Sequence, residues 1–118
     1  MKLLLGGIDF FFEKTLIEKI ESDGDKFYVL TFNEGHDIWS KRTKIGRAKY
    51  FSLHSENNIL NNSVVKNLCK DCDTLIILER SHPYLPLMVL PFWQDKDIWI
   101  QKDNVIFDVK TNITKYEF

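Results

Sequence analysis

The stretch that most constrains the fold is Met1–Asn33, which alternates between strand-forming and helix-forming patterns. Lys2–Leu5 is a short, continuous apolar run, as is typical of a strand buried on both faces of a sheet. Gly6 and Gly7 then supply the backbone freedom that a sharp strand-to-helix turn requires. Asp9 is placed to cap the helix that follows, because its carboxylate can accept from amides of the first turn.

A helix is predicted from Phe10 onward, because apolar residues recur there at helical spacing. They are Phe12, Leu16, Ile17 and Ile20, with charged residues between them. Ser22–Asp25 is a turn signal, and Phe27–Phe32 is rich in strand-forming residues. The whole unit is therefore predicted to be strand, helix, strand, with the two strands parallel and the crossover right-handed.

The segment from Leu5 to Ile20 resembles the start of extended short-chain dehydrogenases and nucleotide-sugar epimerases. Tyr28–Leu30 is similar to the second strand of that family, and Cys72–Leu78 to the fourth, so the resemblance covers about two-thirds of the chain. It implies a Rossmann-like domain in which a glycine-rich turn holds phosphate over a helix N-terminus. Gly6, Gly7 and Asp9 become candidate cofactor-binding residues on that basis.

The chain departs from this family at the positions that matter most for its cofactor and its chemistry. Gly7 stands at the first glycine of the fingerprint, but the other two positions fall on Phe10 and Glu13. The phenylalanine blocks the approach of backbone to phosphate, and the glutamate repels it. The catalytic Tyr-x-x-x-Lys pair is absent from the sequence, and so is a substrate domain. We therefore expect a degenerate, truncated relative, and we assign no catalytic residue.

The length, composition and net charge of the chain further limit the classes of protein to which it can belong. A chain of 118 residues predicts one domain, with a Rossmann-like half over 1–80 and a β-rich extension over 81–118. With 44% hydrophobic residues and a net charge of −1, the chain is expected to be globular, and binding to nucleic acid or membranes through charge alone is not expected. The sequence shows neither a membrane-spanning run nor a signal-peptide layout, so we expect a cytoplasmic protein.

The segment after the second predicted strand holds the most polarised stretch of the chain. Glu34 is a candidate to hold a ribose hydroxyl at the carboxyl edge of the sheet. Ile38–Lys49 carries five basic residues and no acidic residue, and a short helix with Gly46 near its end is predicted there. Lys41 and Arg42 are candidates to bind the 2′-phosphate of NADP, another phosphorylated ligand or an acidic protein surface. A solvated helix face is the alternative reading of the same charges.

The middle of the chain is predicted to add further strands and a helix to the same sheet. Tyr50–His54 is a third predicted strand, Asn61 begins a short helix as its cap, and Asp73–Leu78 is the predicted central strand. A proline-stiffened loop follows that strand, and its position makes Ser81 and His82 candidates to face a pocket. A hydrolase built on them would need an orienting group and an oxyanion hole that the sequence does not show.

Cys69 and Cys72 form a C-x-x-C motif. A structural zinc site needs two more ligands at recognisable spacing, which the three histidines do not provide. A redox pair normally lies at the start of a helix, where the dipole lowers the thiol pKa, whereas this motif ends a predicted helix. We therefore predict two reduced, partly buried thiols and no metal, with zinc and redox chemistry as the alternatives.

The tail is predicted to be an antiparallel meander of the strands Leu87–Trp93, Asp97–Gln101 and Asn104–Lys110. Trp93 and Trp99 are predicted to cover one face of the sheet. The alternative is that they form an exposed aromatic contact surface, since tryptophan is enriched at interface hot spots.

Together these patterns predict an α/β protein with a Rossmann-like, mostly parallel sheet flanked by helices and a C-terminal antiparallel β-meander. The favoured function is a nucleotide- or phosphate-ligand-binding module without dehydrogenase catalysis. The alternative is a protein-binding inhibitor or adaptor that uses the basic helix and the aromatic C-terminal strands. No cofactor is assigned, although NADP and a nucleotide sugar remain open.

Overall fold

A computed structural model describes residues 1–6, 10–31, 49–52 and 61–118 of the chain. Its strands are β1 (Lys2–Leu5), β2 (Phe27–Thr31), β3 (Lys49–Ser52), β4 (Thr74–Ile77), β5 (Asp97–Lys102), β6 (Val105–Asp108) and β7 (Thr114–Glu117). Its helices are α1 (Phe10–Ser22), α2 (Asn62–Asp71) and α3 (Tyr84–Val89), and a 3-10 turn over Leu90–Phe92 follows α3. The predicted α/β class is confirmed.

The strands of the described residues form one mixed sheet in the order β3-β2-β1-β4-β5-β6-β7. The pairings from β3 across to β5 are parallel, and those of β5 with β6 and β6 with β7 are antiparallel. The chain runs outward from β1 to β3, then returns to place β4 on the other side of β1. Strand order therefore reverses between β1 and β4, and β4 is the central strand, as predicted.

Helices cover both faces of the sheet, and each face has its own core. On one face α1 buries Leu16, Ile17 and Ile20 against Leu4 and Ile76. On the other face α2, α3 and the 3-10 turn pack over alternate residues of the same strands; this core is formed by Leu3, Leu5, Leu75, Val65, Leu68, Leu85 and Val89. The side chains of β1 alternate between the two cores, which explains why its three consecutive leucines are all fully buried.

Several local predictions are confirmed by hydrogen bonds or boundaries. The Asn61 side chain accepts from the Val64 amide at 3.1 Å and so caps α2. The Gly6 amide donates to the Leu30 carbonyl at 2.7 Å, which extends the pairing of β1 with β2 to the edge of the sheet. The turn after α1 contains Gly24 with φ of +79°, a conformation that glycine adopts without steric cost.

The predicted strand Leu87–Trp93 is wrong, because this segment forms most of α3 and the 3-10 turn. Leu85 and Val89 are fully buried and lie four residues apart, which is helical spacing. Pro86 falls in the first turn of α3, where a missing N–H costs no hydrogen bond. The same proline would interrupt a strand inside a sheet.

The meander is therefore built from a different set of strands. Its members are β5, β6 and β7, and the last of these was not predicted. Tyr116 on β7 ties the meander to α1, because its hydroxyl donates to the Asp23 carboxylate at 2.8 Å. The ring of Phe118 packs on that of Phe12 with 4.5 Å between centroids.

The basic segment lies almost wholly outside the described residues. The predicted helix ends near Gly46, so it lies outside the described residues and stays a prediction. The strand predicted to follow it, Tyr50–His54, is confirmed over Tyr50–Ser52. Lys49 begins β3 and pairs with Tyr28.

Candidate functional site

The carboxyl ends of the parallel strands meet at one edge of the sheet. β1 ends at Leu5 and is followed by Gly6, while β4 ends at Ile77 and is followed by a turn. β5 lies beside β4 and ends next to that turn. In open α/β sheets ligands bind at this edge, close to the point where strand order reverses.

A cavity of about 250 Å³ opens at this edge, and we call it the carboxyl-edge crevice. It lies between the first turn of α1, the end of β4 and the turn from β5 to β6. Its lining residues are Phe12, Leu78, Glu79, Arg80, Gln101, Asp103 and Asn104. Ligand pockets for drug-sized molecules measure about 300–1,000 Å³. The crevice is therefore the size of one sugar or one base, and it is too small to enclose a dinucleotide.

Three residues of the crevice form a closed ring of hydrogen bonds. The Glu79 amide donates to Oε1 of Gln101 at 3.0 Å, and Nε2 of Gln101 donates to the Asp103 carbonyl at 2.8 Å. The Asp103 amide in turn donates to Oε2 of Glu79 at 3.3 Å. This ring links the end of β4 to the β5–β6 turn, which together form one side of the crevice.

Asp103 has a backbone conformation that short polar residues tolerate best. Its φ is +53°, in the left-handed region, as the tight turn between β5 and β6 requires. Within the part of the chain that the structure describes, its carboxylate makes no hydrogen bond, and neither does the side-chain amide of Asn104. Both groups are exposed and line the crevice. They are thus available to bind something else.

The charges of the crevice are mixed. Glu79 and Asp103 are acidic, and Arg80 is an exposed cation beside them. Carboxylates accept hydrogen bonds from hydroxyl and amino groups, whereas a guanidinium binds phosphate through paired N–H groups. The half-buried ring of Phe12 offers an apolar surface at the same place. The arrangement fits a ligand with a hydroxyl-rich part and a single anionic group.

The predicted site residues are only partly visible in the structure. Gly6 is buried at the carboxyl edge, where the glycine turn was predicted. Gly7, Asp9, Glu34, Lys41 and Arg42 lie outside the described residues, and their assignments stay predictions. The residues of the crevice itself, apart from Phe12 and Leu78, had been treated only as strand ends and turns.

Ser81 and His82 follow the crevice in sequence but are not among its lining residues. The Ser81 hydroxyl donates to the Leu78 carbonyl at 2.8 Å, and Nδ1 of His82 accepts from the Tyr84 amide at 3.1 Å. These bonds shape the turn that leads into α3. Their predicted role in ligand binding is not tested by this geometry and stays a prediction.

The burial of Glu13 was not predicted from the sequence, although Glu13 was placed at one of the fingerprint glycine positions. It lies in the first turn of α1 and its side chain is fully buried. Position 13 belongs with Leu16, Ile17 and Ile20 in the spacing of one helix face, so the sequence did carry a signal. A carboxylate on the buried stripe of a helix, close to the carboxyl edge, is unfavourable for a polyphosphate at this helix end.

Cys69 and Cys72 are free, buried cysteines at the end of α2. Burial raises the pKa of the Cys72 thiol to about 12 and also raises the pKa of Cys69. Nζ of Lys96 contacts the carbonyl oxygens of both cysteines and lies 4.4 Å from the centre of the Trp93 ring. The lysine thus satisfies the last carbonyls of the helix. The two thiols fit a packing role.

Two broader searches complete the description of the site. Among the described residues, no group of histidine, cysteine, aspartate or glutamate side chains is arranged to hold a metal ion. Within the same part of the chain, the helices are too short or too polar to cross a membrane. Comparisons of the chain with family models, curated proteins and solved structures find no match.

Proposed function

We propose that the protein is a small Rossmann-like module that binds a phosphorylated small molecule, such as a nucleotide, without dehydrogenase catalysis. The observation that carries the proposal is the carboxyl-edge crevice. It lies where β4 and β5 end, beside the first turn of α1 and next to the reversal of strand order. The order β3-β2-β1-β4-β5 of the parallel strands supports the Rossmann-like reading.

Arg80 is the described residue that we expect to bind the phosphate. It is exposed at the crevice and lies three residues after the end of the central strand. The two acidic residues of the lining disfavour a ligand with several phosphates, because each additional negative charge is repelled at short range. The charges of Arg80 and of the two acidic residues therefore favour a ligand with a single phosphate, bound beside Arg80.

The test is calorimetric titration of the whole chain with inorganic phosphate, ribose 5-phosphate and AMP. We expect the two sugar-containing compounds to bind, and Arg80→Gln to weaken their affinity about tenfold, since a charged hydrogen bond contributes about 1.5–3 kcal/mol. Lys26→Gln is the matched control, because Lys26 is exposed at the opposite edge of the sheet, before β2. Absence of binding by all three compounds would refute the proposal.

Lys41 and Arg42 enter the proposal from the sequence alone. If they share the phosphate with Arg80, reversing both to glutamate abolishes binding and leaves thermal stability nearly unchanged, because exposed charge changes cost about 0.5 kcal/mol or less. If they do not, the double reversal leaves the affinity for ribose 5-phosphate as it is in the wild type. In either case, the affinity of the double variant is compared with that of the Arg80→Gln variant.

A protein-binding inhibitor or adaptor is the second candidate, and one observation favours it. Tyr84, Leu87 and Leu90 are 54%, 67% and 44% exposed and follow one another at three-residue spacing along α3 and the 3-10 turn. Trp93, by contrast, is buried, so it does not belong to an exposed aromatic surface. The adaptor predicts a co-purifying protein whose binding is lost on Leu87→Asp, together with no thermal shift from any phosphorylated compound.

A further inference from the structure

We infer that the carboxyl-edge crevice recognises the vicinal hydroxyl groups of a sugar ring, with the β5–β6 turn as the recognition element. This inference rests on the proposed function and names the part of the ligand that gives specificity. It starts from an asymmetry in the lining, where acidic and amide side chains outnumber the single cation. Most of the polar surface in the crevice therefore suits hydroxyl groups better than phosphate.

Two carboxylates at the turn keep acceptor oxygens that the described part of the fold does not use. Within the described residues, Asp103 is fixed through its backbone amide and carbonyl, which leaves its carboxylate unused. Glu79 spends one carboxylate oxygen on the Asp103 amide, and its other oxygen makes no hydrogen bond in the same part of the chain. Two acceptors are thus presented from one rigid ring of hydrogen bonds.

The chemistry of a vicinal diol matches these groups. A carboxylate has two oxygens side by side and accepts from two neighbouring hydroxyls at once, while the Asn104 amide can donate to a hydroxyl oxygen. Acceptance by an ionised group makes these hydrogen bonds stronger than neutral ones. Phe12 contributes an apolar face for the C–H side of the ring, and Arg80 remains for the phosphate at the far end.

The size of the cavity supports the same ligand class. A volume of about 250 Å³ accommodates one sugar with its substituents. It excludes simultaneous burial of a second nucleoside, so a dinucleotide has no advantage over a sugar monophosphate. Discrimination is therefore expected to come from the hydroxyl pattern of one ring.

The test compares ribose 5-phosphate with 2-deoxyribose 5-phosphate, which lacks one hydroxyl of the diol, and includes AMP and inorganic phosphate. We expect ribose 5-phosphate to bind the wild type about tenfold more tightly than the deoxy analogue, because one charge-assisted hydrogen bond is lost. If AMP binds more tightly than ribose 5-phosphate, the ligand is a nucleotide. If the two compounds bind with equal affinity, the ligand is a free sugar phosphate. Either of these outcomes identifies the source of the diol, and the inference stands only if ribose 5-phosphate also binds more tightly than its deoxy analogue.

Asp103→Asn is the variant that isolates the carboxylate. Asparagine keeps the size of the side chain and tolerates positive φ, so the turn and its backbone hydrogen bonds are retained. We expect the preference for ribose over deoxyribose to disappear, while inorganic phosphate binds at least as well as before because a negative charge is gone. Asp95→Asn is the control, since Asp95 is 98% exposed and pairs with Lys110 away from the crevice.

The possible failures are distinguishable. If ribose and deoxyribose 5-phosphates bind equally and Asp103→Asn changes neither, the diol inference is wrong and the phosphate module stands. If the Asp103→Asn variant melts at the wild-type temperature but retains the preference for ribose, another group reads the hydroxyls and the inference is also wrong. If no compound binds the wild type, the proposed function fails with it.

Discussion

The hydrogen-bond ring of the crevice makes a prediction about Gln101. Gln101→Leu removes two hydrogen bonds, one to the Glu79 amide and one to the Asp103 carbonyl. Both are solvent-exposed, so water replaces part of each, and about 0.5 kcal/mol is lost per bond, or about 1 kcal/mol in all. For a chain of 118 residues, this lowers the melting temperature by about 4 °C.

The assay is thermal unfolding followed by circular dichroism, together with amide hydrogen exchange at Glu79. Exchange of that amide should accelerate in Gln101→Leu, because its acceptor is gone. Gln94→Leu is the matched control, since Gln94 is exposed and its side chain makes no hydrogen bond with the described residues. Equal melting temperatures for the two variants, with unchanged exchange at Glu79, would show that the ring does not form in solution.

Two further predictions concern ionisable groups away from the crevice. Burial raises the pKa of Asp25, but hydrogen bonds from Lys2 and from the Lys26 amide outweigh it, and the net pKa is lowered. Stability from Asp25 is therefore present above its unfolded pKa of about 3.9 and lost as pH falls through the folded value. Urea unfolding should show Asp25→Asn to be about 1–2 kcal/mol less stable than the wild type at pH 7. The free energy of unfolding of the variant should also change less than that of the wild type between pH 4 and 2. An equal loss of stability at every pH would contradict this prediction. Burial raises the pKa of Cys72 to about 12 and also raises the pKa of Cys69. Both thiols should therefore react with DTNB at pH 8 only after unfolding, and the stabilising effect of Cys72 should be lost as pH rises from about 9 through 12. Rapid reaction of the folded chain would refute the thiol prediction.

The opening unit could be predicted from sequence because its signals are local. β1, α1 and β2 follow from an apolar run, a helical spacing and a β-rich segment that each act over fewer than a dozen neighbours. The Asn61 cap and the central β4 follow for the same reason. The segment Leu87–Trp93 shows the limit, since its apolar run fits a strand or a buried helix equally well. Pro86, placed in the first turn of α3, decides between them.

The candidate site was less predictable because it depends on pairing between distant strands. Gln101 and Asp103 reach the carboxyl edge only because β5 runs parallel to β4. A sequence reading that made β5 part of an antiparallel tail had no reason to bring its end beside Glu79. Glu13 was missed for another reason. Its charge was assigned to the solvent face, although its spacing placed it with the buried residues of α1.

The last prediction concerns NAD, and the structure strengthens its physical basis. A dinucleotide needs its pyrophosphate close to the N-terminus of a helix, with glycines that let the backbone approach. Here α1 begins at Phe10, and the carboxylate of Glu13, at the position of one missing glycine, is buried one turn later. Among the described residues the crevice measures about 250 Å³, which is less than a dinucleotide would fill.

We therefore expect NAD to bind with a dissociation constant no tighter than about 1 mM, which corresponds to about 4 kcal/mol. AMP is the internal control, because it carries the same adenosine and one of the same phosphates. If the crevice holds one sugar, AMP binds at least as tightly as NAD, since the nicotinamide half adds no contacts. Calorimetry that gives NAD micromolar affinity, or an affinity well above that of AMP, would show that a full dinucleotide site exists and that Phe10 and Glu13 do not obstruct it.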